Sequence, residues 1–126
     1  MSGFDPTRSK VSEEALAYFL ANPLVENLLT VPGVGPVTVD RLAADGIRTT
    51  FQLLGAFLRV CDEGMTTQER TDAFWFYLQA LEVPGGTRSS IVHSIAEKIN
   101  IMVPGLYGDD EEEDDEEEDD DEDAST

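Results

Sequence analysis

Val31-Pro32-Gly33-Val34-Gly35-Pro36 combines residue types and spacing that suit a chemical task. Two glycines around one apolar residue make a tight hairpin, because glycine takes left-handed angles and lets the backbone approach a ligand closely. Pro36 then stands where a helix best tolerates proline, at its first position. Val37-Thr38-Val39-Asp40-Arg41-Leu42 continues as that helix, and its positive end would turn the N–H groups of Val34, Gly35 and Val37 outward. The natural guest is a phosphate. Backbone amides hold phosphate without reading bases, so such binding is independent of sequence and sensitive to salt. Arg41, Arg48 and the N-terminal Arg8 and Lys10 are the cations available to help.

Other chemistries find little footing. His93 is surrounded by Ser89, Ser90 and Ser94, with no acid placed by local spacing to orient it, which reads as a solvent-facing or capping histidine. Cys61 is the single cysteine, so no internal disulfide forms, and its neighbours offer no metal partner. No nucleophile motif, Walker loop or metal-ligand cluster is present in the sequence, so the expectation is a protein that is not an enzyme and needs no metal or cofactor. No apolar run approaches the ~18 residues of a membrane span, and the first residues lack the pattern of a secretory signal. A soluble, reducing, intracellular setting is expected.

Charge divides the 126-residue chain in two. The formal net charge is −19, but 15 carboxylates stand in one unbroken run from Asp109 to Asp123. Outside that run 12 acidic residues face 8 basic ones. The run repels itself and buries nothing, so residues 108–126 are expected to be a disordered acidic tail. Asp109, Asp110, Glu111, Glu112, Glu113, Asp114 and Asp115 begin it. They could serve only solubility, dock a basic partner such as a histone tail, or act as an intramolecular mimic of DNA on the basic patch.

The elements that must position the hairpin are helical. Residues 1–11 read as a flexible arm, and residues 12–107 as one all-α bundle of five to six short helices. Ser12 caps the first helix, with Leu16, Phe19 and Leu20 as its apolar stripe. A turn through 24–29 supplies the short first helix of a helix-hairpin-helix, and Gly46 closes the second. Thr49 with Gln52, and Thr66 with Glu69, mark two more starts, the former helix carrying Phe51, Leu54 and Leu58 inward. Phe74-Trp75-Phe76-Tyr77-Leu78 puts apolar surface all round the next helix, which is either ordinary core or a cover for a partner. Thr87 is expected to cap the last helix, whose Ile91, Ile95 and Ile99 recur every four residues. The plainest structural alternative for the hairpin is a corner that merely packs, as in sterile-alpha-motif-like domains.

This order of parts resembles barrier-to-autointegration factor. Gly33-Val34-Gly35, Leu42 with Gly46-Ile47, Leu53-Leu54-Gly55-Ala56-Phe57-Leu58, Phe74 with Tyr77-Leu78, and Gly85-Gly86 carry the likeness, which runs from about Phe19 to Met102. The resemblance implies a small nuclear homodimer that bridges double-stranded DNA without sequence preference and contacts lamina-associated proteins. It implies DNA contact through the amides of Gly33, Val34, Gly35 and Val37, assisted by the start of the first helix. Phe74, Trp75, Tyr77 and Leu78 would fall on the dimer face. Two features depart from the family's pattern: Asp40 and Arg41 stand where a lysine pair is usual, and the acidic tail is additional. An acidic module that docks basic proteins, with little DNA affinity, is the competing function. Nuclear placement follows from the resemblance alone, and the cytoplasm is the other compartment.

Overall fold

Side-chain caps set where most of the helices begin. Ser12 Oγ accepts from the Ala15 amide at 3.0 Å, Thr49 Oγ1 from Gln52 at 3.1 Å, and Thr66 Oγ1 from Glu69 at 3.1 Å. Each bond satisfies a donor that has no partner inside its helix. Glu69 also accepts from the Thr66 amide at 2.8 Å, which completes a reciprocal capping box. Gln52 reaches one residue further back, to the Arg48 amide at 2.6 Å.

A computed structural model describes residues 3–103, and these are all-α. The helices are α1 (Glu13–Ala21), α2 (Pro36–Ala43), α3 (Thr50–Val60), α4 (Thr67–Ala80) and α5 (Gly85–Met102). Two 3-10 turns, Pro6–Arg8 and Leu28–Thr30, complete the described elements. α2 ends in a Schellman motif: Gly46 takes φ +84°, its amide bonds Ala43 O, and the Ile47 amide bonds Leu42 O at 2.9 Å. No helix among the described residues is long and apolar enough to cross a membrane. The acidic run, including Asp109 to Asp115, lies outside the described residues.

α5 is the axis of the bundle, with α1, α3, α4 and the first 3-10 turn packed on it. Ile91, Val92, Ile95, Ala96 and Ile99 are buried along it, and Phe57 meets Phe74 edge to face at 5.3 Å beside them. Lys98 is buried too, its Nζ donating to Phe19 O at 2.8 Å, Leu20 O at 3.3 Å and Asn22 O at 2.6 Å. A cation there satisfies the last carbonyls of α1 and complements that helix's negative end, while burial lowers the amine's pKa.

Four local expectations are corrected. α3 turns Phe51 and Leu58 to solvent, at 53% and 44% exposure, and buries Leu53, Leu54, Ala56 and Phe57. Its phase is set by Thr50, whose hydroxyl donates to Val25 O and whose amide donates to Glu26 O, so the inward stripe starts one residue earlier. α5 begins at Gly85 with Pro84 at the cap, and Thr87 sits inside the first turn with its hydroxyl on Pro84 O. The first limb of the hairpin motif is only the three-residue turn Leu28–Thr30, too short to be an α-helix. Finally, the arm is folded onto the domain. Phe4 is buried, its amide donates to Asp72 Oδ1 at 2.8 Å, and the Lys10 amide donates to Ser90 Oγ at 2.8 Å.

Candidate phosphate-binding surface

The two hairpin glycines do different work. Gly33 has φ +95°, a region side chains rarely adopt, and a Cβ there would lie 2.9 Å from Ser90 Cβ and 3.3 Å from the Ile91 amide nitrogen. It lets the hairpin seat against α5. Gly35 is extended, at φ −113° and ψ −175°, and a Cβ on it would meet nothing within 4 Å. The expectation that both glycines need left-handed angles is therefore corrected: Gly33 turns the chain and packs, whereas Gly35 is the open N-cap of α2.

The amides divide in the same way. Val34 donates to Val31 O at 3.0 Å, so it is occupied by the turn and does not point at a ligand as expected. Val31 and Val34 anchor that turn in the core. Gly35 gives no side-chain cap, and the first N–H groups of α2, including that of Val37, have no acceptor inside the helix. Val37 is half-exposed above them. Arg41 is exposed one helical turn further on, on the same face as Val37, with Asp40 exposed next to it.

Ser90 joins this hairpin to the arm. It is the residue Gly33 packs against and also the residue whose hydroxyl holds the Lys10 amide, so Lys10 and the hairpin meet on one turn of α5. Beside that turn lies a groove between Arg8, Lys10, the Trp75 ring and the start of α5 at Gly85, Gly86 and Ser89. Pro84 caps α5 without a side-chain hydrogen bond, which leaves a second open helix N-terminus. Lys10 Nζ stands 3.9 Å from where a Gly86 Cβ would be. Ser89 is 5% exposed, lines the groove, and its hydroxyl makes no hydrogen bond among the described residues. The open N-terminus of α5, two exposed cations and an unpartnered hydroxyl thus line one groove. This arrangement suits an oxyanion.

Pro84-Gly85-Gly86 and Ser89 were not legible as site residues. Pro84-Gly85-Gly86 has the composition of a turn, which hides that it is the helix start; the usable signal is an amphipathic stretch that follows two glycines with no Ser, Thr, Asp or Asn before it. Arg88 is near but engaged, with Nε donating to Val83 O at 2.9 Å and its guanidinium 5.0 Å from the Trp75 ring centre. Asp5, also on the arm, is held below the usual carboxylate range first by the Thr7 hydroxyl and then by the Thr7 amide.

The aromatic run is consumed by the chain's own core. Phe74 and Leu78 are fully buried and Trp75 nearly so, which corrects the placement of these three on an interface between copies. Tyr77 is half-buried and Phe76 is 41% exposed. The apolar surface that looked excessive around α4 is met by α3 on one side and α5 on the other. Tyr77 donates to Asp45 Oδ2 and accepts from Arg59 Nη2 at 3.3 Å, tying α4 to the end of α2 and to α3. Burial first, then Asp45, raises its pKa.

His93 does have an acid by local spacing, contrary to expectation: Glu97, four residues on, with Nε2 to Oε2 at 3.7 Å. Its Nδ1 pairs with Ser9 Oγ at 3.0 Å and its ring lies 6.4 Å from that of Phe4, so it fastens the arm. No cluster of three or more His, Cys, Asp or Glu positioned for a metal occurs among the described residues. No protein-family model, curated protein or solved structure matches this chain.

Proposed function

We propose that this protein is a non-enzymatic, sequence-independent binder of double-stranded DNA, gripping phosphates through the open N-terminus of α2 at Gly35 and Val37 and through Arg8 and Lys10. The observation that carries the reading is the meeting of hairpin and arm on Ser90, which brings the Lys10 backbone to the same turn of α5 that Gly33 packs against, about 20 residues away in sequence. Arg41 adds charge along the same face of α2. The resemblance to barrier-to-autointegration factor extends the proposal to nuclear DNA architecture. Bridging two duplexes needs a second copy; with Phe74, Trp75 and Leu78 in the core, Phe51, Leu58 and Phe76 are the apolar residues that α3 and α4 leave exposed for one.

Titration of the full chain with random-sequence duplexes of differing composition tests the proposal. Equal affinities are expected, falling with salt at a slope of log K against log salt of roughly −3.6 if four phosphates are neutralised. Lys10→Gln should lower the slope by about 1. Absence of binding at low salt, or a strong preference between sequences, refutes it. If the chain instead captures histones and ignores duplex DNA, the acidic-module reading replaces this one.

A further inference from the structure

We infer that the acidic tail of this chain occupies the groove at the start of α5, so that the protein carries its own competitor for the phosphate site. The inference rests on the proposed reading of that surface. The groove has the chemistry of an oxyanion seat: Lys10 Nζ over Gly86, Arg8 beside it, the open N-terminus at Gly85 and Gly86, and Ser89, a residue only 5% exposed whose hydroxyl has no hydrogen-bond partner among the described residues. Arg8 and Lys10 are exposed, with no salt bridge to a carboxylate among the described residues. The strongest anion in the protein is its own, the 15 consecutive carboxylates at 109–123.

Length permits the contact. α5 runs from the groove to Met102, 18 residues or about 27 Å along its axis. The tail leaves from the opposite end. Each extended residue covers at most about 3.4 Å, so Asp109 reaches only about 20 Å back from Val103 and falls short. Asp114 reaches about 37 Å, enough for the axial distance and a detour of about 10 Å over the surface. The carboxylates that seat in the groove therefore belong to the second part of the run, Asp114 to Asp123.

Tethering makes weak contacts count. Screening confines each charge to ~8 Å at physiological salt, so distant carboxylates do nothing for the groove. A tethered segment nevertheless presents itself at an effective concentration on the order of millimolar. If a single oxyanion contact of this kind has a dissociation constant of about 0.1 mM, the tail would depress DNA affinity roughly tenfold at low salt. The Asp40 next to Arg41 weakens the α2 end of the surface, which leaves the α5 end as the stronger seat for either anion.

The test compares the natural chain with a full-length variant in which all 15 acids of 109–123 become Asn or Gln. Backbone amide resonances of Lys10, Gly85, Gly86 and Ser89 are recorded without DNA at about 20 mM and about 300 mM salt, and duplex affinity is measured at the lower salt. The expected result is that these resonances differ between the chains at low salt and converge at high salt, and that the neutral tail raises duplex affinity roughly tenfold. Coincident resonances at low salt overturn the inference, even if affinity rises, because the tail then acts by general repulsion. Shifted resonances in a protein that binds no duplex in either form would keep the tail in the groove and remove the DNA reading instead.

Discussion

Replacing Gly35 with Asp separates what this position does for the fold from what it does for a ligand. Gly35 is extended, its Cβ direction is empty to 4 Å, and it caps α2 with no side chain, so an Asp fits without strain. The new carboxylate accepts from an orphan amide two or three residues on and meets the positive end of the helix. Those gains amount to about 0.5–1 kcal/mol, a rise in Tm of roughly 2–6 °C for a domain of this size. The same carboxylate stands where a phosphate would. At about 4 Å the repulsion is about 1 kcal/mol in bulk water and about 4 kcal/mol at an effective dielectric of 20, which lowers duplex affinity by tenfold or more. Gly35→Asn, a neutral cap, should stabilise comparably and lose less affinity. Thermal unfolding and fluorescence anisotropy on the same samples report both quantities. A variant that is more stable yet binds duplex DNA as the natural chain does would refute the assignment of the α2 end to phosphate; a less stable one would refute the cap geometry.

Gly33→Ala should behave oppositely, costing about 2–4 kcal/mol, since a left-handed side chain costs about 1–2 kcal/mol before the 2.9 Å contact with Ser90 is relieved. Urea titration reads it, and a loss below about 0.5 kcal/mol would contradict the packing of the hairpin on α5. On α3, Phe57→Ala should cost about 3–5 kcal/mol and Phe51→Ser less than about 1 kcal/mol; equal costs would mean that the helix has the other phase. Tyr77 has a raised pKa, so the folded chain keeps the phenolic proton longer than the unfolded one. Its contribution to stability is complete below its ordinary value of 10.0 and is lost as pH climbs through the raised folded value. Alkaline unfolding of Tyr77→Phe should lack that added loss, and an identical pH profile would dismiss the Asp45 contact. Asp45→Asn should bring the Tyr77 titration downward.

Much of the helical frame is readable from short-range signals. Ser12, Thr49 and Thr66 announce helix starts because an N-cap is decided within three residues, and Gly46 announces a stop for the same reason. The four-residue recurrence of Ile91, Ile95 and Ile99 names the buried face of α5, the helix on which the others pack. Pro36 at the start of α2 is equally local.

What failed did so where a distant partner held the vote. Thr50 is drawn inward by the backbone of Val25 and Glu26, and the apolar stripe of α3 rotates with it. Phe74, Trp75 and Leu78 look like surplus until α3 and α5 close over them. The arm reads as free because the residues that hold it, Asp72, Ser90 and His93, are more than 60 positions away.

The hairpin shows the division most sharply. From sequence, Gly33 and Gly35 are equivalent members of one motif, because composition and spacing carry no information about which side of a turn faces the core. Sequence alone determined that the chain is all-α, that a tight turn precedes α2, and that the charge is concentrated in one run. Tertiary structure decided that Gly33 belongs to α5 and Gly35 to solvent, and that Lys10 stands over the first turn of α5, because only folding brings residues 10 and 33 each to residue 90.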